Sequence, residues 1–243
     1  MNLLILGGNS DIGFAIAKEF ARKHRASVQL ASRNLDQLNK KAKDLEVSFQ
    51  VETKVHYFDV LDTDSHKEFY TSLETKPDMV IATFGILGDQ HEAQADPIKA
   101  IKIIESNYVG AVSILELIAA DFEKKQKGTI VGVSSVAGER GRGSNYIYGS
   151  AKAGFTAYFS GLRNRLHPAG VRVITLLPGF VKTKMTAHLE LPQALLAEPA
   201  EVAIQLEKAY RKGKDVVYAK PIWKWIMMAI KLQPEGIFKR LKL

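Results

Sequence analysis

Short apolar runs alternate along the chain with longer stretches in which apolar residues recur every three to four positions. The runs fall at about 2–6, 27–31, 55–58, 79–83, 129–134 and 171–176, with a shorter one at 216–218. Most are rich in Leu, Ile and Val and too short for a helix, so each is expected as a buried strand. The amphipathic stretches between them predict one helix to about residue 23, a second over 35–46, and two long ones over 97–125 and 146–167. Strands alternating with helices in this way imply βαβ units, and hence an α/β fold: a doubly wound parallel sheet of about seven strands with helices on both faces. No internal repeat, low-complexity tract or linker divides the chain. A single domain is expected over 1–220, followed by a basic amphipathic tail at 221–243.

Polar residues of chemical interest collect where these strands end. The first strand runs into Gly7-Gly-Asn-Ser-Asp-Ile-Gly13 and then a helix, so backbone amides there can approach a pyrophosphate at the helix N-terminus. The spacing is not G-x-G-x-x-G, and an ordinary tight βα turn would read the same way. The second strand ends in Ser32-Arg33 with no carboxylate until Asp36. A guanidinium there suits a ribose 2′-phosphate, which favours NADP(H) and admits NAD(H); a solvated arginine opening a helix is the alternative. Asp59, at the tip of the third strand, is placed either to accept from an adenine amino group or to cap the helix after Asp62. Asn107 interrupts the long helix among Ile103, Ile104, Val109 and Val112, where its amide either bonds backbone or holds a water.

The fifth strand ends near Ser135, and Tyr148 and Lys152 follow at i,i+4 spacing, on one face of a helix. An ammonium beside a phenol favours the phenolate, so the phenol pKa is expected to fall toward neutrality, as general acid–base chemistry requires. Ser135 would complete a clamp on one carbonyl oxygen.

Composition narrows the options. The 243 residues are 46% hydrophobic with a mean hydropathy of −0.08, as in soluble globular proteins. The absence of cysteine excludes disulfides and thiolate catalysis, and no two of the six histidines stand at i,i+3 or i,i+4, so no metal site is expected. The first residues read as a strand rather than a signal peptide, and no apolar run reaches the ~20 residues of a bilayer span. The net charge of +8 is concentrated: residues 211–243 carry +7. There Trp223, Trp225, Ile226, Met227, Met228 and Ile230 are interleaved with Lys224 and Lys231, and Ile237, Phe238 and Leu241 with Lys239, Arg240 and Lys242. Such interleaving suits an interfacial helix on an anionic membrane, or a tail packed on a neighbouring subunit. No nucleic-acid motif accompanies the charge.

Taken together, the glycine turn, Asp59-Val60, Asn107, Ser135, Tyr148-x-x-x-Lys152 and Pro178-Gly-Phe-Val-Lys-Thr183 resemble the short-chain dehydrogenase/reductase family over residues 1–220. A second Tyr-x-x-x-Lys, Tyr210–Lys214, lacks the upstream serine. Two positions depart from the family pattern: Asp11 stands where a glycine is common, and Ala82-Thr-Phe-Gly85 replaces Asn-Asn-Ala-Gly. The glycine turn, Phe84–Gln90, Gly138-Glu-Arg140 with Ser144–Tyr148, Pro178–Met185 and the tail are similar to one branch, the decaprenylphosphoryl-2-keto-ribose reductases.

The resemblance implies a Rossmann-type fold and hydride transfer from NAD(P)H to a ketone. Tyr148 would be the proton donor, Lys152 its partner on the nicotinamide ribose, Ser135 a donor to the substrate oxygen, and Asn107 the holder of a relay water. It assigns the cofactor to Gly7, Asn9, Ser10, Asp11, Ile12, Gly13, Ser32, Arg33, Asp59, Val60, Tyr148, Lys152, Pro178, Gly179, Val181 and Thr183. It places a substrate loop at 180–198 (Met185, His188, Leu189, Leu191, Leu195). The branch implies a lipid-linked keto-pentose, a partner flavin oxidase, a homo-oligomer paired through the two long helices, and a cytoplasmic enzyme in contact with the membrane. A reductase of another ketone, such as a 3-oxoacyl thioester, and a cofactor-binding interaction protein without turnover are the other readings.

Overall fold

The structure, a computed structural model, describes residues 1–187 and 189–241; His188 of the expected substrate loop and Lys242 of the tail lie outside them. Seven strands form one sheet: β1 (Asn2–Leu6), β2 (Ser27–Ser32), β3 (Thr53–Tyr57), β4 (Met79–Ala82), β5 (Thr129–Val133), β6 (Arg172–Leu177) and β7 (Val216–Tyr218). Their order is β3-β2-β1-β4-β5-β6-β7, and every pairing is parallel. The sheet is the expected doubly wound one. Order reverses between β1 and β4, and the crevice beyond the carboxyl ends of those strands is where ligands bind in such sheets.

The period of two along β1 explains how both faces are filled. Leu3 and Ile5 point to one side, against Ile16, Phe20 and Leu206 of helices α1 (Asp11–His24) and α8 (Pro199–Arg211). Leu4 and Leu6 point to the other, into a layer with Ile114, Ile118, Phe155 and Phe159. That second layer is built by α3 (His66–Ser72), α6 (Gly110–Lys125) and α7 (Tyr146–Leu166).

Boundaries moved where a side chain had local work. The second helix, α2 (Leu35–Phe49), runs three residues past its expected end and stops at Gln50 in the left-handed region. β3 starts earlier than expected and ends at Tyr57, because Phe58 turns into the core beside His66 and Phe69. β4 stops at Ala82, and the next hydroxyl, of Thr83, reaches the Leu6 and Gly7 carbonyls at 3.1 and 3.0 Å. The long helix is three pieces: α5 (Pro97–Ile104), a π segment over Glu105–Val109, and α6. Pro97–Lys125 is long and apolar enough by composition to cross a membrane, yet here Ile114, Leu115, Ile118 and Phe122 are core residues. A short α4 (Gln90–Ala95) precedes α5, and α9 (Ile222–Leu232) and α10 (Glu235–Phe238) close the chain.

The tail packs on its own domain. Trp223 and Met227 are buried in a small cluster with Val136 and Leu177, and the Trp223 ring stands edge-on to Phe180. A Cβ on Gly179 would come within 1.9 Å of that ring, so only glycine lets the tail approach so closely. The sequence had suggested a membrane or a neighbouring subunit as the tail's contact; half of its apolar face is spent within the chain.

Candidate active site

At the carboxyl ends of the central strands lies a cavity of about 500 Å³. Every residue expected to bind cofactor or act in catalysis lines it, with one exception. Gly13 sits buried behind the turn, where its N–H donates to the Ser10 hydroxyl that caps α1. The decoy pair Tyr210 and Lys214 is absent from this cavity, and Tyr210 packs with Phe20 and His24 beneath α1.

At one end the glycine turn rises from β1. Gly7 has φ +92°, and a Cβ there would meet Phe84 N at 2.7 Å, so both the turn and its close approach to the neighbouring strand require glycine. The turn is braced from outside the cavity. Asn9 Nδ2 donates to Asn34 O at 2.9 Å, and Lys41 Nζ donates to Gly8 O and Asn9 O at 3.3 and 3.0 Å. Burial lowers the Lys41 pKa to about 8. The two departures from the family pattern have clear roles. Asp11 Oδ2 accepts from Lys184 N at 2.9 Å, tying the turn to the segment after β6. Thr83 bridges the first and fourth strands through its hydrogen bonds to the Leu6 and Gly7 carbonyls.

Arg33 is exposed on the cavity rim beside Ser32. Asp59 does not cap the helix after Asp62: its Oδ1 accepts from Leu61 N at 3.0 Å, closing a tight turn, and the residue lines the cavity. Asn107 lies in the π segment, a distortion that recurs at functional sites. The extra residue turns its amide inward, where Nδ2 donates to Ile86 O and Ile103 O at 2.7 and 2.8 Å. Its Oδ1 is buried with no partner among the described residues. The backbone reading of Asn107 therefore accounts for only half of the side chain.

Ser135 follows β5, and its Oγ accepts from Ala137 N at 3.1 Å. Lys152 is buried and donates to Val133 O at 3.1 Å, leaving Nζ 5.8 Å from the Tyr148 ring centroid. The titration differs from expectation. Burial pushes the Tyr148 phenol up to about 12, opposed by the Ser135 hydroxyl and by the charge of Arg142. Lys152 is not the group that opposes it. Burial also brings the Lys152 ammonium down to about 8. With Nζ turned to the Val133 carbonyl, desolvation outweighs the pairing that the i,i+4 spacing suggested.

Several lining residues escaped the sequence reading. Thr83, Phe84 and Ile86 come from the departed motif after β4, and Ser106 from the π segment. Arg142 does not line the cavity but lies on the loop between Ser135 and Tyr148; its buried Nε has no hydrogen-bond partner, and it forms no salt bridge, among the described residues. Burial lowers its pKa, and its charge reaches the phenol. Only its place between two catalytic candidates could have signalled it.

A glycine turn at the switch point of a parallel sheet, opposite a Ser–Tyr–Lys set in one cavity, defines an NAD(P)-dependent oxidoreductase. The short chain dehydrogenase family model matches residues 1–194, and the chain belongs to that family. An uncharacterized oxidoreductase of Mycobacterium tuberculosis is 36% identical over 98% of this chain and 96% of its own. A short-chain dehydrogenase from Sphingobium yanoikuyae, solved with NADPH, superposes with a TM-score of 0.82 at 21% identity, covering 99% of this chain and 96% of its own. A 3-oxoacyl-[acyl-carrier protein] reductase from Brucella melitensis with bound NAD gives 0.75 at 25%, covering 86% and 82%.

Proposed function

We propose that the protein reduces a ketone that carries a phosphate ester on the adjacent carbon, of the kind found in a polyprenylphosphoryl 2-keto-pentose, with NADPH as the preferred reductant. The observation that carries this reading is the shared cavity: Ser135, Tyr148, Lys152 and Asn107 line the same space as the glycine turn and Arg33.

The residues present fit a dinucleotide. The Gly7–Gly13 turn offers the free amides of the α1 N-terminus to a pyrophosphate, and buried Asn9 Oδ1 and Asn107 Oδ1 have no partner among the described residues. Gly7, Asn9, Ser10, Asp11 and Ile12 would hold the pyrophosphate side, and Ser32 and Arg33 the 2′-phosphate. Asp59 and Val60 would face the adenine, and Pro178, Gly179, Val181 and Thr183 the nicotinamide. A bound reduced nicotinamide supplies the hydride.

The chain's own residues handle the oxygen and the proton. Ser135 donates to the substrate oxygen, and Tyr148, kept protonated by burial, delivers the proton that turns the forming alkoxide into a hydroxyl. Lys152, with its Nζ 5.8 Å from the Tyr148 ring centroid, would hold the nicotinamide ribose beside the phenol. The free Asn107 Oδ1 accepts from a water that returns the proton from solvent. Holding these groups in place, rather than new chemistry, is the protein's contribution.

Arg142 supports the phosphate. A half-buried guanidinium with no carboxylate partner among the described residues, close enough to act on the Tyr148 phenol, suits an anion one carbon away from the carbonyl. Exposed Ile98, Ile101, Ile104 and Val109 on the long helix support a homo-oligomer paired there.

NADPH oxidation with dihydroxyacetone phosphate and with dihydroxyacetone tests the reading, because the first has the same carbonyl-to-phosphate spacing. Wild type should favour the phosphate ester, and Arg142→Met should lose roughly ten- to a hundredfold of that preference, the worth of a charged hydrogen bond. Equal use of both ketones by wild type refutes the phosphate. Faster turnover of a 3-oxoacyl thioester than of polyprenylphosphoryl keto-ribose replaces the substrate.

A further inference from the structure

Helix α9 is apolar on two faces, and the fold covers only one of them. Trp223, Ile226, Met227 and Ile230 face the domain, in the cluster that includes Val136 and Leu177. Ile222, Trp225, Met228 and Leu232 recur at helical spacing on the opposite face, with Trp225 61% and Leu232 74% exposed. Such a face on a surface helix needs a cover. Ile237 and Leu241, beyond it, are exposed too.

The surrounding charge says what kind of cover fits. Lys224, Lys239 and Arg240 have no carboxylate partner among the described residues, and Glu235, the acidic residue of this segment, is taken up by Arg140 at 2.9 Å. Lys224 lies 5.7 Å over the Trp225 ring, its charge level with the apolar face rather than opposite it. A second copy of the chain would bring this uncompensated positive charge against itself. An anionic lipid surface would neutralise it while taking the apolar side chains.

The helix is also fixed at a set height. Arg140 Nη1 donates to the carbonyls of Ile230, Lys231 and Gln233 at 3.0, 3.1 and 2.7 Å, satisfying the open C-terminus of α9, and its guanidinium lies 3.9 Å from the Phe238 ring centroid. Lys231 and Tyr218 both bond Glu139, the residue before it. The presented face is therefore a rigid part of the domain and not a loose tail.

We infer that the outer face of α9, with Ile237 and Leu241, is a docking surface for membranes containing anionic lipid. The inner face of the same helix rests on Gly179, which lines the cavity, so docking brings the cavity next to the lipid. The inference does not depend on the ketone or on turnover.

The full chain is incubated with vesicles of phosphatidylcholine alone or with phosphatidylglycerol, and sedimented. Trp225→Glu/Leu232→Glu alters exposed positions only, so the variant should match the wild type in circular dichroism. Wild type should co-sediment with the anionic vesicles at least tenfold more than with neutral ones, and the double variant should lose at least tenfold. The tryptophan emission of the wild type should shift to the blue on binding, and that of a Trp225→Phe variant should not, because Trp223 is already buried. Wild type remaining in the supernatant, or equal sedimentation of the variant, overturns the inference. So does a fall in solution mass on making the variant without any vesicle binding by wild type, which would assign the face to a second copy.

Discussion

Replacing Lys152 by Met should stabilise the protein while abolishing turnover. Lys152 is 4% exposed, and burial holds its pKa at about 8 against an ordinary 10.5. Keeping it charged in that place costs on the order of 3 kcal/mol at pH 7, since one pKa unit is about 1.4 kcal/mol. Methionine fills nearly the same volume without the charge. The substitution also removes the bond to Val133 O, a loss of about 1 kcal/mol. The net gain is about 2 kcal/mol, or roughly 4–8 °C in Tm for a domain of this size.

The pH dependence gives the sharper test. Below pH 8 the lysine is protonated in both folded and unfolded protein, so the cost is constant. Between pH 8 and 10.5 the unfolded chain binds the additional proton, and wild-type stability rises with pH. The advantage of the variant should therefore shrink by about 1.4 kcal/mol from pH 7 to pH 9. Urea denaturation of both proteins at the two pH values, without cofactor, measures it. A variant equal to or less stable than wild type at pH 7, with a difference independent of pH, refutes the account of a strained buried ammonium.

Arg33→Ala should raise KM for NADPH about tenfold with little change for NADH, because a rim guanidinium meets only the 2′-phosphate; equal effects on both cofactors in steady-state kinetics would contradict that placement. Trp223→Ala should cost about 3–5 kcal/mol, seen in denaturant unfolding, since the ring is buried against Gly179 and Phe180. A cost below about 1 kcal/mol would mean that the tail is only loosely attached.

Much of the fold was legible because a parallel sheet leaves a plain pattern. Runs such as Leu3–Leu6 and Met79–Ala82 are apolar on both faces, so they announce buried strands without ambiguity. The edge was harder: β3, with His56 and Tyr57, has no such continuity, and its ends were misplaced by one or two residues. The π segment was visible only as an asparagine in the wrong place, since nothing in helical periodicity encodes one extra residue per turn.

In the site, residue types and order marked Ser135, Tyr148 and Lys152, and the cavity contains all three. Their electrostatics could not be read in the same way. A spacing of four says that two side chains share a face, but the direction of Lys152 Nζ depends on the Val133 carbonyl, and the phenol's pKa depends on burial. The tail divided along its helix period: the same hydrophobic letters that suggested an interface supply both an inner face for the domain and an outer one left exposed.

The central claim is that Tyr148 is the proton donor of a reductase. Tyr148→Phe keeps the ring and removes only the hydroxyl, so NADPH should still bind with unchanged fluorescence titration. Substrate-dependent NADPH oxidation across a panel of ketones should fall by about a hundred- to ten-thousandfold, the range of general acid catalysis. Oxidation by the wild type no faster than by the variant on every ketone would contradict the claim.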